Sequence, residues 1–152
     1  MKIELFQKLL LSYLNIPYIY GGKNPLTGED CSGLVCEFLK ALGKIGTNEE
    51  FNAQQLFNKY VKPMAQTPAS LPMPAGEPAL TGSLVFYGAD VSHVDHVAML
   101  IDNEFIIEAG HGTADTLTKD IASQRGAFTR IRPYKYRADF LQIVNLDLGL
   151  TL

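Results

Sequence analysis

The sequence predicts an α+β protein, with helices first and an antiparallel sheet second. Apolar residues recur at helical spacing as far as about residue 61, and from Ser83 the period changes to that of strands. Asp102-Asn103, set between two apolar runs, marks a tight hairpin that makes its neighbouring strands antiparallel. At 152 residues the chain is long enough to bury a core of its own, and a single domain over 1–152 is expected.

Residues 3–14 read as the first helix, with Ile3, Phe6, Leu10, Tyr13 and Leu14 on one side and Pro17 ending it. A loop from Tyr18 to Glu29 follows, holding Gly21, Gly22, Pro25 and Gly28. Asp30 is a good N-cap, and Leu34, Val35, Phe38, Leu39 and Leu42 then fall at helical spacing up to Gly43. Thr47 with Glu50 fits a capping box for a third helix reaching about Val61. Residues 62–82 hold five of the eight prolines and read as an irregular connection, the best candidate for a mobile loop. Residues 83–87, 94–101, 104–109, 128–132 and 140–146 are rich in β-branched and aromatic residues and read as about five strands.

Composition narrows the function. A net charge of −3 with scattered Lys and Arg gives no basic footprint for nucleic acid or an anionic membrane surface. No window approaches 18 apolar residues, which argues against a transmembrane helix. Glu4 and Gln7 interrupt the apolar N-terminus, so it does not read as a signal peptide. Synthesis in the cytoplasm is expected, and an extracytoplasmic substrate would require delivery by other means. Cys31 and Cys36 form no CxxC pair and lie five residues apart on one helix, which disfavours a disulfide or zinc finger. Cys36, among apolar residues, reads as a buried and inert thiol.

Cys31 is different. It falls in the first turn of its helix, where free N–H groups and the positive end of the helix dipole stabilise an anion. A structural cysteine gains nothing there, whereas a nucleophile does. The backbone N–H of Cys31 is also a natural oxyanion donor. Tyr18, across the glycine loop, reads equally as a second donor or as a core residue. Ser32 is a secondary cap, small enough to let substrate approach.

A thiolate nucleophile needs a base that can return a proton to the leaving amine. His96 opens the apolar run Val97-Ala98-Met99-Leu100-Ile101, which would fix the ring at the end of a rigid strand. His93 lies an odd number of residues away and falls on the opposite face. The third member should accept a hydrogen bond from the second ring nitrogen of His96. Glu108 qualifies if the hairpin loop has three residues, because positions 98 and 108 then pair and His96 and Glu108 become diagonal neighbours. A two-residue loop would put them on opposite faces. His111, between two glycines, is the rival. Asp95, His96, Glu108 and His111 are all possible metal ligands, but HxxH on a strand splits its rings and HExxH is absent. No metal and no cofactor are expected.

Taken together, these residues resemble the NlpC-type cell-wall cysteine peptidases, a papain-like family. The resemblance covers roughly residues 5 to 110 in the expected order. It runs through Tyr18-Ile19-Tyr20-Gly21-Gly22, Asp30-Cys31-Ser32-Gly33, Gly82-Ser83-Leu84-Val85-Phe86-Tyr87, Asp95-His96-Val97-Ala98 and Glu108-Ala109. It implies a nucleophile helix packed on an antiparallel sheet, with Cys31 as nucleophile, His96 as base and Glu108 as the orienting residue. Tyr18 matches the family tyrosine near the thiol. The implied reaction is hydrolysis of an amide in peptidoglycan stem peptides, commonly between γ-D-glutamate and a diamino acid. The chain departs from the family pattern by carrying glutamate where histidine is usual and by a Tyr18–Cys31 loop one residue longer. It also shows no wall-binding module. A bare domain of this kind resembles phage-like or effector members that reach the wall through a virion tail, a holin or a secretion system. Two other readings use the same residues: an amidase or acyl transferase, and a non-catalytic phage tail or wall-binding protein that keeps the fold.

Overall fold

The computed structural model describes residues 1–62 and 80–152, so nearly all of the connection expected at 62–82 lies outside the described residues. Helices α1 (Ile3–Leu11), α2 (Cys31–Ala41) and α3 (Ala53–Tyr60) precede the main sheet, and the two-residue strands β1 (Lys23–Asn24) and β2 (Gly28–Glu29) form a small hairpin just before α2. The sheet comprises β3 (Leu84–Asp90), β4 (His93–Leu100), β5 (Phe105–Ala109), β6 (Thr129–Pro133) and β7 (Phe140–Val144), in spatial order β6-β5-β4-β3-β7. Every neighbouring pair is antiparallel. A fourth helix, α4 (Lys119–Arg125), lies between β5 and β6.

Strand alternation gives the sheet two apolar faces. Phe86, Val97, Met99, Ile107 and Val144 pack with Phe6, Leu10, Leu34, Phe38, Leu56 and Phe57 from the helices. Phe57 meets Phe86 edge to face, with ring centroids 5.3 Å apart. Val85, Tyr87, Ala98, Leu100, Ile106 and Ile143 form a smaller cluster on the opposite face, partly covered by Tyr134 and Phe140.

Three local expectations need correction. The first helix stops at Leu11 because Tyr13 and Leu14 donate three residues back, to Leu10 and Leu11, and Asn15 then turns left-handed at φ 68°. Tyr13 and Leu14 still pack on the core. The third helix starts at Ala53, not after Thr47. Its capping box is Asn52 with Gln55, because Glu50 pairs with Lys40 and Glu49 accepts from the Gly46 amide at 2.7 Å. Helix α4 was not expected. It is seven residues long, is capped by Thr118, ends at left-handed Gly126 and buries only Ala122, so its apolar periodicity is faint.

The start of α2 is fixed by close backbone approach. Asp30 Oδ1 accepts the Gly33 amide at 2.7 Å, and its Oδ2 accepts the Gly21 amide at 3.1 Å. The Asp30 amide donates to the Gly22 carbonyl at 3.1 Å. That carbonyl lies so near α2 that a Cβ on Gly33 would stand 2.2 Å from it. In an open helix Gly→Ala stabilises by about 1 kcal/mol. Here the sign should reverse: Gly33→Ala is expected to destabilise by about 1–3 kcal/mol, in the range of overpacked sites. Urea unfolding of the two proteins measures this, and a more stable alanine variant would contradict the close approach.

Candidate active site

Cys31 occupies the first position of α2, so its amide N–H has no acceptor within the helix. Its side chain is 8% exposed and its Sγ lies 3.9 Å from the Asp95 carbonyl oxygen, at the start of β4. His96 is on the same stretch of β4 and lines the same groove as Cys31. The imidazole Nε2 lies 2.5 Å from Glu108 Oε2, so Nδ1 is the ring nitrogen left for another partner. Tyr87, the cross-strand partner of His96 on β3, sets its ring 5.5 Å from the imidazole.

The contact between His96 and Glu108 follows from register. Met99 pairs with Ile107 and Leu100 with Ile106, and the Ile101 amide donates to the Phe105 carbonyl. The loop is therefore Asp102 to Glu104, the three-residue length that the pairing requires. The Asp102 side chain holds it by accepting the amides of Glu104 and Phe105 at 2.8 and 2.7 Å.

Glu108 is fully buried and satisfied. Besides His96, it accepts Arg130 Nε at 3.1 Å on Oε1 and the Tyr136 hydroxyl at 2.8 Å on Oε2. Burial alone would raise its pKa, but the imidazole, the phenol and the guanidinium together hold it below the usual carboxylate range. For His96, burial disfavours the charged form, yet hydrogen bonds to Cys31 and Glu108 outweigh it and push the imidazole up to about 9.

The other expected residues fall as follows. Tyr18 is buried along the cleft, and burial followed by charge at Cys31 keeps its phenol protonated as a donor. Ser32 Oγ donates to Asp30 Oδ1 at 3.2 Å. His111 sits exposed on the cleft rim with φ 63°, and the structure brings Glu108 rather than His111 to His96. His93 is exposed and pairs with Asp90 at 2.8 Å. Cys36 is fully buried, its Sγ donates to the Phe51 carbonyl, and burial pushes the thiol up to about 11. Both cysteines are free.

Sequence reasoning missed Arg130, Tyr136 and Arg137. Arg130 is the cross-strand partner of Glu108 on β6, a relation invisible until the β5–β6 register is known. Arg137 binds Asp139 through two nitrogens at 2.8 and 2.6 Å, reaches Asp95 at 3.4 Å and stacks on Tyr87. Among the described residues, no group of three or more His, Cys, Asp or Glu side chains could hold a metal ion, and no helix is long and apolar enough to cross a membrane.

Two grooves meet at the thiol. One, of about 380 Å³, runs over His96 between Tyr18, Gly112, Thr113, Tyr136 and Arg137. The other, of about 370 Å³, runs past Asp30, Ser32, Asn52, Gln54 and Val94. The wall at 112–116 is tied down by the Tyr20 amide donating to the Thr116 carbonyl at 2.7 Å and by Arg125 on Thr113 and Thr116. Gly112 is required there, because a Cβ would stand 1.8 Å from the Tyr18 ring.

A thiol at a helix start, an imidazole on an adjoining strand and a carboxylate on the next strand define a papain-like cysteine hydrolase arrangement. The NlpC/P60 family model matches residues 15–130, and the chain belongs to that family. The fold is similar to an NlpC/P60 family protein from Bacillus cereus ATCC 10987, at TM-score 0.66 and 17% identity over 95% of this chain and 40% of that one. NlpC2 from Trichomonas vaginalis gives TM-score 0.63 and 18% identity over 93% of this chain and 45% of that one. The NlpC/p60 domain of the peptidoglycan hydrolase SagA gives 0.56 and 17% over 96% of this chain and 100% of that one. The chain thus spans less than half of the first two proteins. A search of curated proteins finds no match.

The His96 pKa carries a testable sign. Its folded value of about 9 exceeds the ordinary 6.5, so pairing of His96 stabilises the fold fully below about pH 6.5 and that contribution is lost as pH rises through about 9. Glu108 runs the other way: its contribution is present above the ordinary carboxylate range and is lost as pH falls. A nitrogen-15 NMR titration of His96 is expected to give a midpoint near 9, and Cys31→Ala should lower it by removing the largest raising contact. A wild-type midpoint at or below 6.5 would show that burial dominates instead.

Proposed function

We propose that the protein is a peptidoglycan hydrolase, a cysteine endopeptidase that cuts an amide bond within the stem peptide. The observation that carries this reading is the His96 imidazole, held by the buried Glu108 carboxylate in a groove it shares with the Cys31 thiol, where a second groove meets it. A substrate that continues on both sides of its scissile bond needs such a passage. The NlpC/P60 membership and the likeness to the SagA domain, a peptidoglycan hydrolase, supply the substrate class.

In this reading the Cys31 thiolate attacks the carbonyl carbon, and the Cys31 amide and the Tyr18 phenol receive the developing oxyanion. Imidazolium at His96 then passes its Nδ1 proton to the leaving amine, and the acyl group stays on sulfur as a thioester. Neutral His96 next takes a proton from water, which attacks the thioester and releases the new carboxyl group. Glu108 holds the ring so that Nδ1 faces the sulfur throughout. Ser32, small and tied to Asp30, leaves the approach to the thiol open. Family resemblance favours the bond between γ-D-glutamate and a diamino acid.

Purified peptidoglycan digested by wild type and by Cys31→Ala, with mass spectrometry of the released muropeptides, tests the reading. Wild type alone should release fragments cut within the stem peptide, and Cys31→Ala should fall to background, a loss on the order of a million-fold for a triad nucleophile. Turnover by Cys31→Ala would refute the thiol mechanism. Glu108→Gln is expected to keep partial activity, because the amide oxygen can still accept from Nε2, and Glu108→Ala to keep less. A greater loss in His111→Ala than in Glu108→Ala would transfer the orienting role to His111.

A further inference from the structure

Three donors converge on Glu108, and only one of them is the imidazole. Arg130 reaches Oε1 from β6, and Tyr136, just beyond β6, shares Oε2 with His96. The carboxylate is fully buried and cannot turn to water, and the Arg130 side chain is only 16% exposed. The neighbouring backbone leaves room for this contact. A Cβ on Gly110 would stand 2.9 Å from Arg130 Nη2, 3.0 Å from its Nε and 3.0 Å from Glu108 Oε1.

Whenever His96 is neutral, the charge state of Glu108 decides which of its tautomers faces the thiol. An ionised carboxylate can only accept, so it takes the proton on Nε2 and leaves neutral Nδ1 with a lone pair toward Cys31. A protonated Glu108 would donate to Nε2 and place the ring proton on Nδ1, where it blocks acceptance of the thiol proton. Burial without compensation drives a carboxyl group toward that second state. We propose that Arg130 and Tyr136 are positioning residues that clamp Glu108 in its ionised, accepting form and thereby set the His96 tautomer. The inference rests on the reading of Cys31, His96 and Glu108 as the reactive group.

Every charged or titratable neighbour fits the assignment. His96 faces Glu108 from β4, Arg130 from β6, Tyr136 from the segment after β6 and Tyr87 from β3. Arg137, Asp139 and Asp95 form a separate ion-paired group, and Cys31 lies across the imidazole on α2. Burial and then the Glu108 charge push the Tyr136 phenol up to about 12, which keeps it a donor. Arg130 supplies positive charge, and Tyr136 fixes the oxygen that His96 uses.

The test compares Arg130→Met, Arg130→Lys and Tyr136→Phe with wild type, each first checked for folding by thermal unfolding. Three quantities are read: the carbon-13 NMR titration of the Glu108 carboxyl, the rate at which iodoacetamide labels Cys31 (located by peptide mass spectrometry), and kcat and KM on soluble muropeptides. Arg130→Met should raise the Glu108 midpoint by about one pH unit or more, the size of a lost opposite charge. Tyr136→Phe should raise it less, and Arg130→Lys should restore most of the wild-type value. Labelling of Cys31 should slow in both Arg130→Met and Tyr136→Phe. Turnover should fall about tenfold, as for lost outer partners of ligating histidines, with KM unchanged. If Arg130→Met does not fold, partly exposed Tyr136→Phe decides the matter. An unmoved Glu108 midpoint in the folded variants, or a change confined to KM, overturns the clamp. The titration and labelling need no substrate, so their expected shifts without muropeptide cleavage by wild type would uphold the clamp and reject the proposed function.

Discussion

The contact between His96 and Glu108 depends on the register of one hairpin. Asp102 closes a three-residue loop by accepting two amides, and that loop length sets which residues of β4 and β5 lie side by side. With Met99 opposite Ile107, Glu108 projects onto the same face as His96. A slip of one residue would turn Glu108 into the helix-packed face beside Val97 and Met99. It would then be a buried charge without a donor, and His96 would lose its acceptor. The fold therefore resists the slip with the same group that the proposed chemistry uses. A carboxylate among isoleucines specifies its register more strongly than another apolar residue would.

The thiol is placed by a different device, the removal of side chains. Gly33 lets the Gly22 carbonyl press against the first turn of α2, and Gly112 lets the cleft wall press against Tyr18. Tyr18 is in turn tied by its amide to the Ala127 carbonyl, while Glu29 pairs on its other side. The helix start, the glycine loop and the cleft wall form one packed body, and Cys31 has little freedom to drift from the strand that carries His96. Hydrogen bonds orient the imidazole and carboxylate, whereas steric contact positions the sulfur.

Legibility in the sequence follows the range of the interactions. The start of α2 was readable because Asp30, Gly33 and the following apolar residues lie within a few positions of one another. The pairing of His96 with Glu108 was readable as a condition on loop length, since only three residues separate the two strands. The third helix was misplaced because Thr47-Glu50 and Asn52-Gln55 present the same local pattern, and the choice was made by Lys40 on another helix, which engages Glu50. The roles of Arg130 and Tyr136 lay beyond reach for the same reason. Twenty-two residues and the faintly patterned α4 separate Glu108 from Arg130, and nothing local announces that β6 returns to β5 in that register.

A second buried carboxylate shows what Glu108 would be without its donors. Glu29, beside Asp30 at the foot of α2, is fully buried, and neither of its oxygens has a hydrogen-bond partner among the described residues. Burial pushes it up to about 8, and Glu37, Asp30 and Glu50 add to the rise while Lys40 opposes it. Lys40 is already engaged by Glu37 and Glu50. Glu29 therefore costs the fold least while it stays protonated, and stability falls as pH rises from about 4.5 through about 8. His96 loses its own contribution slightly higher, through about 9. Two residues flanking the thiol, one in chain and one in space, thus both weaken the structure as pH rises, Glu29 over the lower window and His96 over the higher. Burial sets the direction for Glu29, donors reverse it for Glu108, and the ionised carboxylate is found where an imidazole needs an acceptor.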